Sequence, residues 1–227
     1  MFSPTATGVG ALLPLLRNAR RALARRHAWV LAPALLLAQL VGAADAQACA
    51  CCSEPGQRVE GTAPLDAYVK GELGRVRFAK AAKLYLTAAG FDGVSGIRDP
   101  ADRYELVQTR QGDVWTFTFK DAKGNAGALA FTLPAKVEEF FVDTQPGKQA
   151  GDPTLYKEWR LAAPLTATGI FKPSAVGSPT VRLILQGHGN SCTSAEQLTT
   201  WTIVVSGPKA SFSLFGTLST PAATPTP

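Results

Sequence analysis

The sequence has few of the residues from which catalytic and metal centres are usually built. It contains two histidines among 227 residues, and His27 lies in a segment that we expect to be removed. His188 then has to serve any histidine-dependent chemistry, which excludes a His-rich zinc or copper site and obliges a Ser-His-Asp centre to use this residue. The chain also lacks the G-x-S-x-G elbow and the glycine patterns of phosphate-binding and dinucleotide-binding loops.

A surplus of positive charge is also missing once the N-terminal segment is set aside. The whole chain has 23 basic and 17 acidic residues, a formal net charge of +6. Residues 1–48 hold five arginines and one aspartate, so the remainder has a net charge of +2. A surface that binds nucleic acid needs clustered Lys and Arg on one face. Nucleic acid is therefore excluded as a partner.

Long hydrophobic runs are absent except for one uncharged run of 17 residues at 28–44, which contains Pro33. Its length is at the lower limit of the roughly 17–25 residues that span a bilayer. Arginines precede this run and Ala46-x-Ala48 follows it, an arrangement typical of a cleaved signal peptide. We therefore expect residues 1–48 to be a signal peptide and not a retained membrane anchor. The layout is typical of an exported bacterial protein, periplasmic or extracellular.

The remaining chain contains a clear period-two pattern of apolar residues. The pattern is sharpest in three segments that short glycine-containing turns connect, at 104–109, 114–120 and 128–133. Such alternation indicates strands with one buried face, and the short turns indicate a β-meander. In the middle segment Trp115, Phe117 and Phe119 share one face, which we interpret as core. Weaker segments of the same kind lie at 75–87, 136–142, 156–161, 166–171, 181–186, 201–205 and 212–218.

These segments predict an all-β fold, a single antiparallel β-sandwich or barrel of about 8–10 short strands with little helix. We assign the β domain to residues 49–218 and expect the Thr/Pro/Ala-rich residues 219–227 to be a disordered tail. Residues 65–73 are expected to hold one short helical turn. Residues 61–64 and 187–192 are expected to be loops, because glycine and proline favour turns.

Three of the four cysteines form a cysteine cluster at Cys49, Cys51 and Cys52, and the fourth is Cys192. The adjacent Cys51 and Cys52 have Cα atoms about 3.8 Å apart, below the usual disulfide range of about 4.4–6.8 Å. They are therefore not expected to bond to each other. Because an exported chain favours oxidised cysteines, we predict a disulfide between Cys192 and either Cys51 or Cys52.

Two other roles of the cysteine cluster are open at this point. Closely spaced thiolates suit Cu(I), and a fourth ligand gives a set that suits Zn(II). Such a metal site would use Cys49, Cys51, Cys52, Cys192 and His188. Alternatively, Cys49 is the lipid-anchored first residue of a lipoprotein, although Ala46 stands where a larger aliphatic residue is usual.

A strongly β-patterned chain without a catalytic constellation favours a non-enzymatic function. We expect an exported β-domain protein without a cofactor, a binding or envelope-associated module that is held together by a disulfide and uses a face or rim of its sheet. The alternative is a soft-metal protein that binds Cu(I) or Zn(II) through the cysteine cluster. The sequence does not specify the ligand or the partner.

Overall fold

The computed structural model describes residues 55–145, 154–189 and 194–219. These residues confirm an all-β fold, with eleven described strands where about eight to ten were expected. The strands are β1 (Arg58–Pro64), β2 (Arg77–Leu84), β3 (Arg103–Gln111), β4 (Val114–Lys120), β5 (Ala126–Thr132), β6 (Lys136–Asp143), β7 (Leu155–Pro164), β8 (Thr166–Gly169), β9 (Thr180–Gly189), β10 (Leu198–Gly207) and β11 (Ala210–Ser219). One α-helix, α1, spans Ala67–Arg75, and no helix in the described ranges is long and apolar enough to cross a membrane.

All of these strands belong to one antiparallel sheet, in the order β1-β6-β7-β9-β10-β11-β2-β3-β4-β5-β8. β8 follows β7 after a single residue, Leu165, yet β7 pairs with β6 and β9 whereas β8 pairs with β5. One continuous segment therefore joins the last strand of the order, β8, to β7, which is third from the other end. The sheet consequently curls round on itself as in a barrel, and β6 and β1 extend it beyond β7.

The inward face of the sheet forms one hydrophobic core. Trp115, Phe117 and Phe119 of β4 are each at most 2% exposed, which confirms that they share a core face. Phe117 stacks on Phe131 with ring centroids 5.9 Å apart, and Phe119 meets Phe171 edge-on at 5.4 Å. Each aromatic pair of this kind contributes about 0.5–1.5 kcal/mol beyond the burial of its area. Most inward positions are thus occupied by apolar side chains, with the buried Lys157 of β7 as an exception, and the alternating polar side chains point outward.

Arg110 of β3 attaches the C-terminal end of helix α1 to the meander. The guanidinium of Arg110 donates hydrogen bonds to the carbonyl oxygens of Gly74 and Val76, both at 2.7 Å. It also lies 4.2 Å from the ring centroid of Trp115. Burial, together with the positive charge of Arg77, lowers the pKa of Arg110 to about 10. Arg110 stays charged at neutral pH and satisfies carbonyls that the helix itself leaves unpaired.

The expectation of a loop at 61–64 was wrong, because these residues belong to the edge strand β1. β1 pairs with β6 along its whole length, from Arg58 opposite Val142 to Pro64 opposite Lys136. Nearly all of its residues are exposed, so neither face is buried and the period-two signal is missing. At the other end of the chain, Ser219 was assigned to the tail but is the last residue of β11. Residues 220–227 lie outside the described ranges.

The loop expected at 187–192 was wrong for its first three residues. β9 continues through Gly187, His188 and Gly189, and residues 190–192 lie outside the described ranges. The two glycines permit a close approach of Gln197: a Cβ on Gly187 would lie 1.8 Å from the Gln197 carbonyl oxygen, and one on Gly189 would lie 2.0 Å from the Gln197 side chain. Glycine therefore serves close contact at these positions and does not reverse the chain.

Candidate functional site

Of the site residues that the sequence indicated, His188 alone lies in the described ranges. The cysteine cluster and Cys192 lie outside them, so the disulfide, the metal site and the lipid anchor stay predictions. His188 is exposed on the outward side of β9, where its ring meets that of Tyr156 edge-on with centroids 5.3 Å apart. Within the described part of the chain, no three His, Cys, Asp or Glu side chains are grouped so that they could hold a metal ion.

Two described residues close in sequence to the cysteines, Gly56 and Gly189, lie at one end of the sheet. The Gly56 amide donates to the Asp143 carboxylate at 2.8 Å, Asp143 pairs with Leu155, and Leu155 pairs with Gly189. These three strand spacings separate Gly56 from Gly189 by about 14–15 Å. The nearest cysteines are four residues before Gly56 and three after Gly189, and an extended chain of that length spans about 23–25 Å. The seven residues that connect Cys52 to Gly56 and Gly189 to Cys192 are therefore long enough to permit the predicted disulfide between Cys52 and Cys192.

An extended set of polar side chains in register lies on the outward side of β7, β9, β10 and β11. Strand alternation places residues 156–162, 180–188 and 200–206 there at even numbers, and 211–215 at odd numbers. Their inward neighbours, such as Leu183, are buried in the core. We call this outward surface the polar face.

A hydrogen-bonded network occupies one end of the polar face. The Tyr156 hydroxyl donates to Glu158 at 2.5 Å, and Arg160 Nε donates to the other carboxylate oxygen of Glu158 at 2.6 Å. Gln186, which lies opposite Glu158 in the sheet, donates to the Tyr156 hydroxyl at 2.8 Å. The Glu158 side chain is only 12% exposed. Charge-assisted bonds of this kind hold the four side chains in fixed positions.

The network also fixes the protonation of its members. Burial opposes the charge of Glu158, but the hydrogen bonds from Tyr156 and Arg160 outweigh it and lower the pKa of Glu158. Burial and the hydrogen bond to Glu158 raise the pKa of Tyr156 to about 12. At neutral pH, Glu158 is thus a carboxylate and Tyr156 a neutral phenol. Neither group titrates near neutrality, where a general acid or base works best.

A pocket of about 590 Å³ adjoins this network on the polar face. Its lining includes Ala162, Arg182, Ile184 and Val204. Ile184 lies opposite Arg160 in the neighbouring strand, which joins the pocket to the network. Arg182 is exposed and forms no hydrogen bond or ion pair with any residue that the structure describes. The volume is within the range of about 300–1,000 Å³ that small-molecule sites usually have.

A second pocket, of about 160 Å³, continues the first across β10 and β11. The two pockets share Val204 and Ser206 in their linings. The second also includes Ser211, Ser213 and Tyr85, the last with 60% of its surface exposed. Together the pockets form one furrow across the polar face.

The inward side of the same strands is closed by a short 3₁₀ helix, Ala195–Gln197, which we call the strap. The buried amine of Lys157 donates to the Gln197 side chain at 3.0 Å. Burial raises the pKa of the nearby Glu139, although the positive charge of Lys157 opposes the shift. On the other side, the first amide of the strap donates to Glu72 of α1 at 2.7 Å. The strap thus connects α1 to the strands that carry the polar face.

Comparison of this chain with family models, with curated proteins and with solved structures gives no match. The chain's own residues therefore provide the evidence for a function. The fold and the polar face define the class as an all-β protein with an outward furrow that is bordered by a fixed hydrogen-bond network.

The furrow and the network were not predicted from the sequence, although part of the signal for them is visible there. Tyr156, Glu158 and Arg160 occupy every second position of a segment that was assigned to a strand, and Leu155, Trp159 and Leu161 are apolar residues at the intervening positions. Their outward direction follows from that alternation. Their neighbours Gln186 and Arg182 come from β9, and the pairing of β7 with β9 skips β8. That pairing is not encoded in any local pattern.

Proposed function

We propose that this chain is an exported, non-enzymatic binding module and that the polar face is its ligand surface. The observation that supports this proposal most strongly is the position of a fixed polar network beside an open pocket of about 590 Å³. Binding sites commonly combine an accessible apolar floor with a few convergent polar groups. Ala162, Ile184 and Val204 would provide the floor, and Arg160 and Arg182 stand beside it.

The fixed network favours binding because its side chains are ordered before a ligand arrives. Ordering a flexible side chain in an interface costs about 0.5–1.5 kcal/mol. Glu158 already accepts hydrogen bonds from Tyr156 and Arg160, and Gln186 holds the Tyr156 hydroxyl. A ligand would therefore bind to donors and acceptors that the fold already holds in place, and binding would not include the free-energy cost of ordering them.

The protonation of the network supports a non-enzymatic function. A general acid or base is most effective when its pKa lies near the working pH. The pKa of Glu158 is lowered and that of Tyr156 is raised to about 12. These groups would offer permanent charge and hydrogen bonds to a ligand and would not exchange protons with it at neutral pH.

The proposal places the module outside the cytoplasm, in the periplasm or at the cell envelope. This part depends on the N-terminal segment, whose basic residues, apolar run and small-residue site are typical of export. We also propose the disulfide between Cys192 and Cys51 or Cys52, which an oxidising compartment would maintain.

The test compares two valine-to-arginine variants of the purified mature protein. Val204 lines both pockets, so Val204→Arg would fill the furrow with a charged side chain. Val107 on β3 is 52% exposed, and Val107→Arg is the matched control on a distant part of the sheet. We expect wild type and Val107→Arg, immobilised for biolayer interferometry, to retain solubilised cell-envelope fragments, and Val204→Arg to lose this retention.

Three outcomes would overturn the proposal. The first is equal retention by Val204→Arg, which would remove the polar face from the interaction. The second is robust hydrolysis in an activity screen that is abolished in His188→Ala, which would make the protein an enzyme. The third is stoichiometric copper or zinc in protein purified anaerobically, which would favour the soft-metal alternative.

A further inference from the structure

The furrow is built from two parallel rows of side chains that run across the strands. In the first row Arg182 lies opposite Val204, and Val204 lies opposite Ser213. The Tyr85 amide donates to the Ser213 carbonyl at 2.8 Å, so Tyr85 ends this row. With a strand spacing of about 4.8 Å, the row from Arg182 to Tyr85 is about 14–15 Å long.

The second row consists of hydroxyl side chains. Thr180 lies opposite Ser206, and Ser206 lies opposite Ser211. Ser211 in turn forms an isolated bridge with Ser95.

The available donors and acceptors of the furrow are hydroxyls and one guanidinium. The side chains of Ser206, Ser211 and Ser213 make no hydrogen bond with another residue in the described ranges, and Arg182 likewise has no partner there. A hydroxyl both donates and accepts, which matches the hydroxyl groups of a sugar. A free guanidinium matches a carboxylate, which it can bind through two parallel hydrogen bonds. At the far end, the exposed Tyr85 ring offers a flat amphipathic surface.

We propose that the furrow binds a carboxylate-bearing oligosaccharide, an inference that rests on the proposed function and specifies its ligand class. The ligand carboxylate lies at Arg182, and its sugar hydroxyls exchange hydrogen bonds with Ser206, Ser211 and Ser213. A sugar ring covers the Tyr85 side chain. Charge complementarity selects the acidic sugar over a neutral one, because Arg182 is the one charged side chain in the furrow lining that the structure describes.

The experiment is calorimetric titration of the mature protein with an oligogalacturonate hexamer and with its methyl ester, which has the same sugars without the charge. The variants are Arg182→Gln and Tyr85→Ala, both at exposed positions. Arg103→Gln is the matched control, since the Arg103 side chain is 76% exposed and lies on β3, outside the furrow. Circular dichroism melting confirms that each variant is folded.

We expect the free acid to bind wild type and Arg103→Gln equally. The ester should bind both proteins at least about tenfold more weakly than the acid, because one charged hydrogen-bonding pair is lost. Arg182→Gln should weaken binding of the acid by a similar factor and leave the ester unchanged, whereas Tyr85→Ala should weaken both. Equal binding of acid and ester, full binding by Arg182→Gln, or no binding of the hexamer would overturn the inference. If the hexamer does not bind but retention of envelope fragments is still lost in Val204→Arg, the proposed ligand class is wrong and the proposed binding function is still supported.

Discussion

Replacing Gly187 by alanine tests the close contact that holds the strap against β9. The added Cβ would lie 1.8 Å from the Gln197 carbonyl oxygen, whereas ordinary contact begins at 3.4 Å. The strap would have to retreat by the difference, about 1.6 Å. Such a shift would break the 3.0 Å hydrogen bond from the Lys157 amine to Gln197. The clash falls on backbone atoms, so no side-chain rotation can relieve it.

The expected loss of stability combines three effects. Overpacking costs about 1–3 kcal/mol, and a lost hydrogen bond to a charged group costs about 1.5–3 kcal/mol. Alanine returns about 0.5–1 kcal/mol, because glycine is less favourable in a strand. The free energy of unfolding should therefore fall by roughly 2–5 kcal/mol.

Urea denaturation followed by tryptophan fluorescence measures this change, with two further variants for comparison. A Cβ on Gly189 meets only the Gln197 side chain, which can move, so Gly189→Ala should cost about 1–3 kcal/mol through the lost hydrogen bond. A Cβ on Gly61 of β1 meets nothing within 4 Å, so Gly61→Ala should be neutral or slightly stabilising. If Gly187→Ala is as stable as Gly61→Ala, the proposed role of the glycine pair is refuted.

Three further predictions concern acid stability, the disulfide and processing. The Asn125 side chain and backbone amides lower the pKa of Asp121 below its ordinary value of 3.8. The Asp121 carboxylate therefore stabilises the fold fully above pH 3.8, and this stabilisation is lost as the pH falls through the lowered pKa. Urea midpoints of wild type and Asp121→Asn should therefore differ at pH 7 and converge as the pH falls below the lowered pKa, and a constant difference would contradict this. Cys192→Ser should lower stability by roughly 2–5 kcal/mol and leave a titratable thiol in the cysteine cluster, whereas a free Cys192 thiol in unreduced wild type would end this prediction. Mature protein from the native host should begin at Cys49, which N-terminal sequencing and peptide mass spectrometry check; a start well upstream would contradict cleavage, and a lipid mass on the first peptide would identify a lipoprotein.

Strands with one buried face were predicted well from the sequence. β4 was located at its exact bounds, Val114–Lys120, because its aromatic residues alternate with threonines. β1 was missed because an exposed edge strand leaves no alternating signal. The end of β9 was mistaken for a loop because Gly187 and Gly189 are turn-forming residues in most settings. Here their lack of a side chain accommodates the strap, which lies eight to ten residues further along the chain.

Local covalent geometry explains what the sequence determined by itself. Successive side chains of a strand point to opposite sides, so the sequence decided which residues enter the core and which, such as Glu158 and Arg182, face outward. Tertiary structure decided that β7 lies beside β9 and that Tyr85 ends a row begun by Arg182. Many strand orders would bury the same apolar faces, and the free-energy differences among them arise from contacts between residues far apart in the chain. The furrow is a product of that long-range choice, which no single segment encodes.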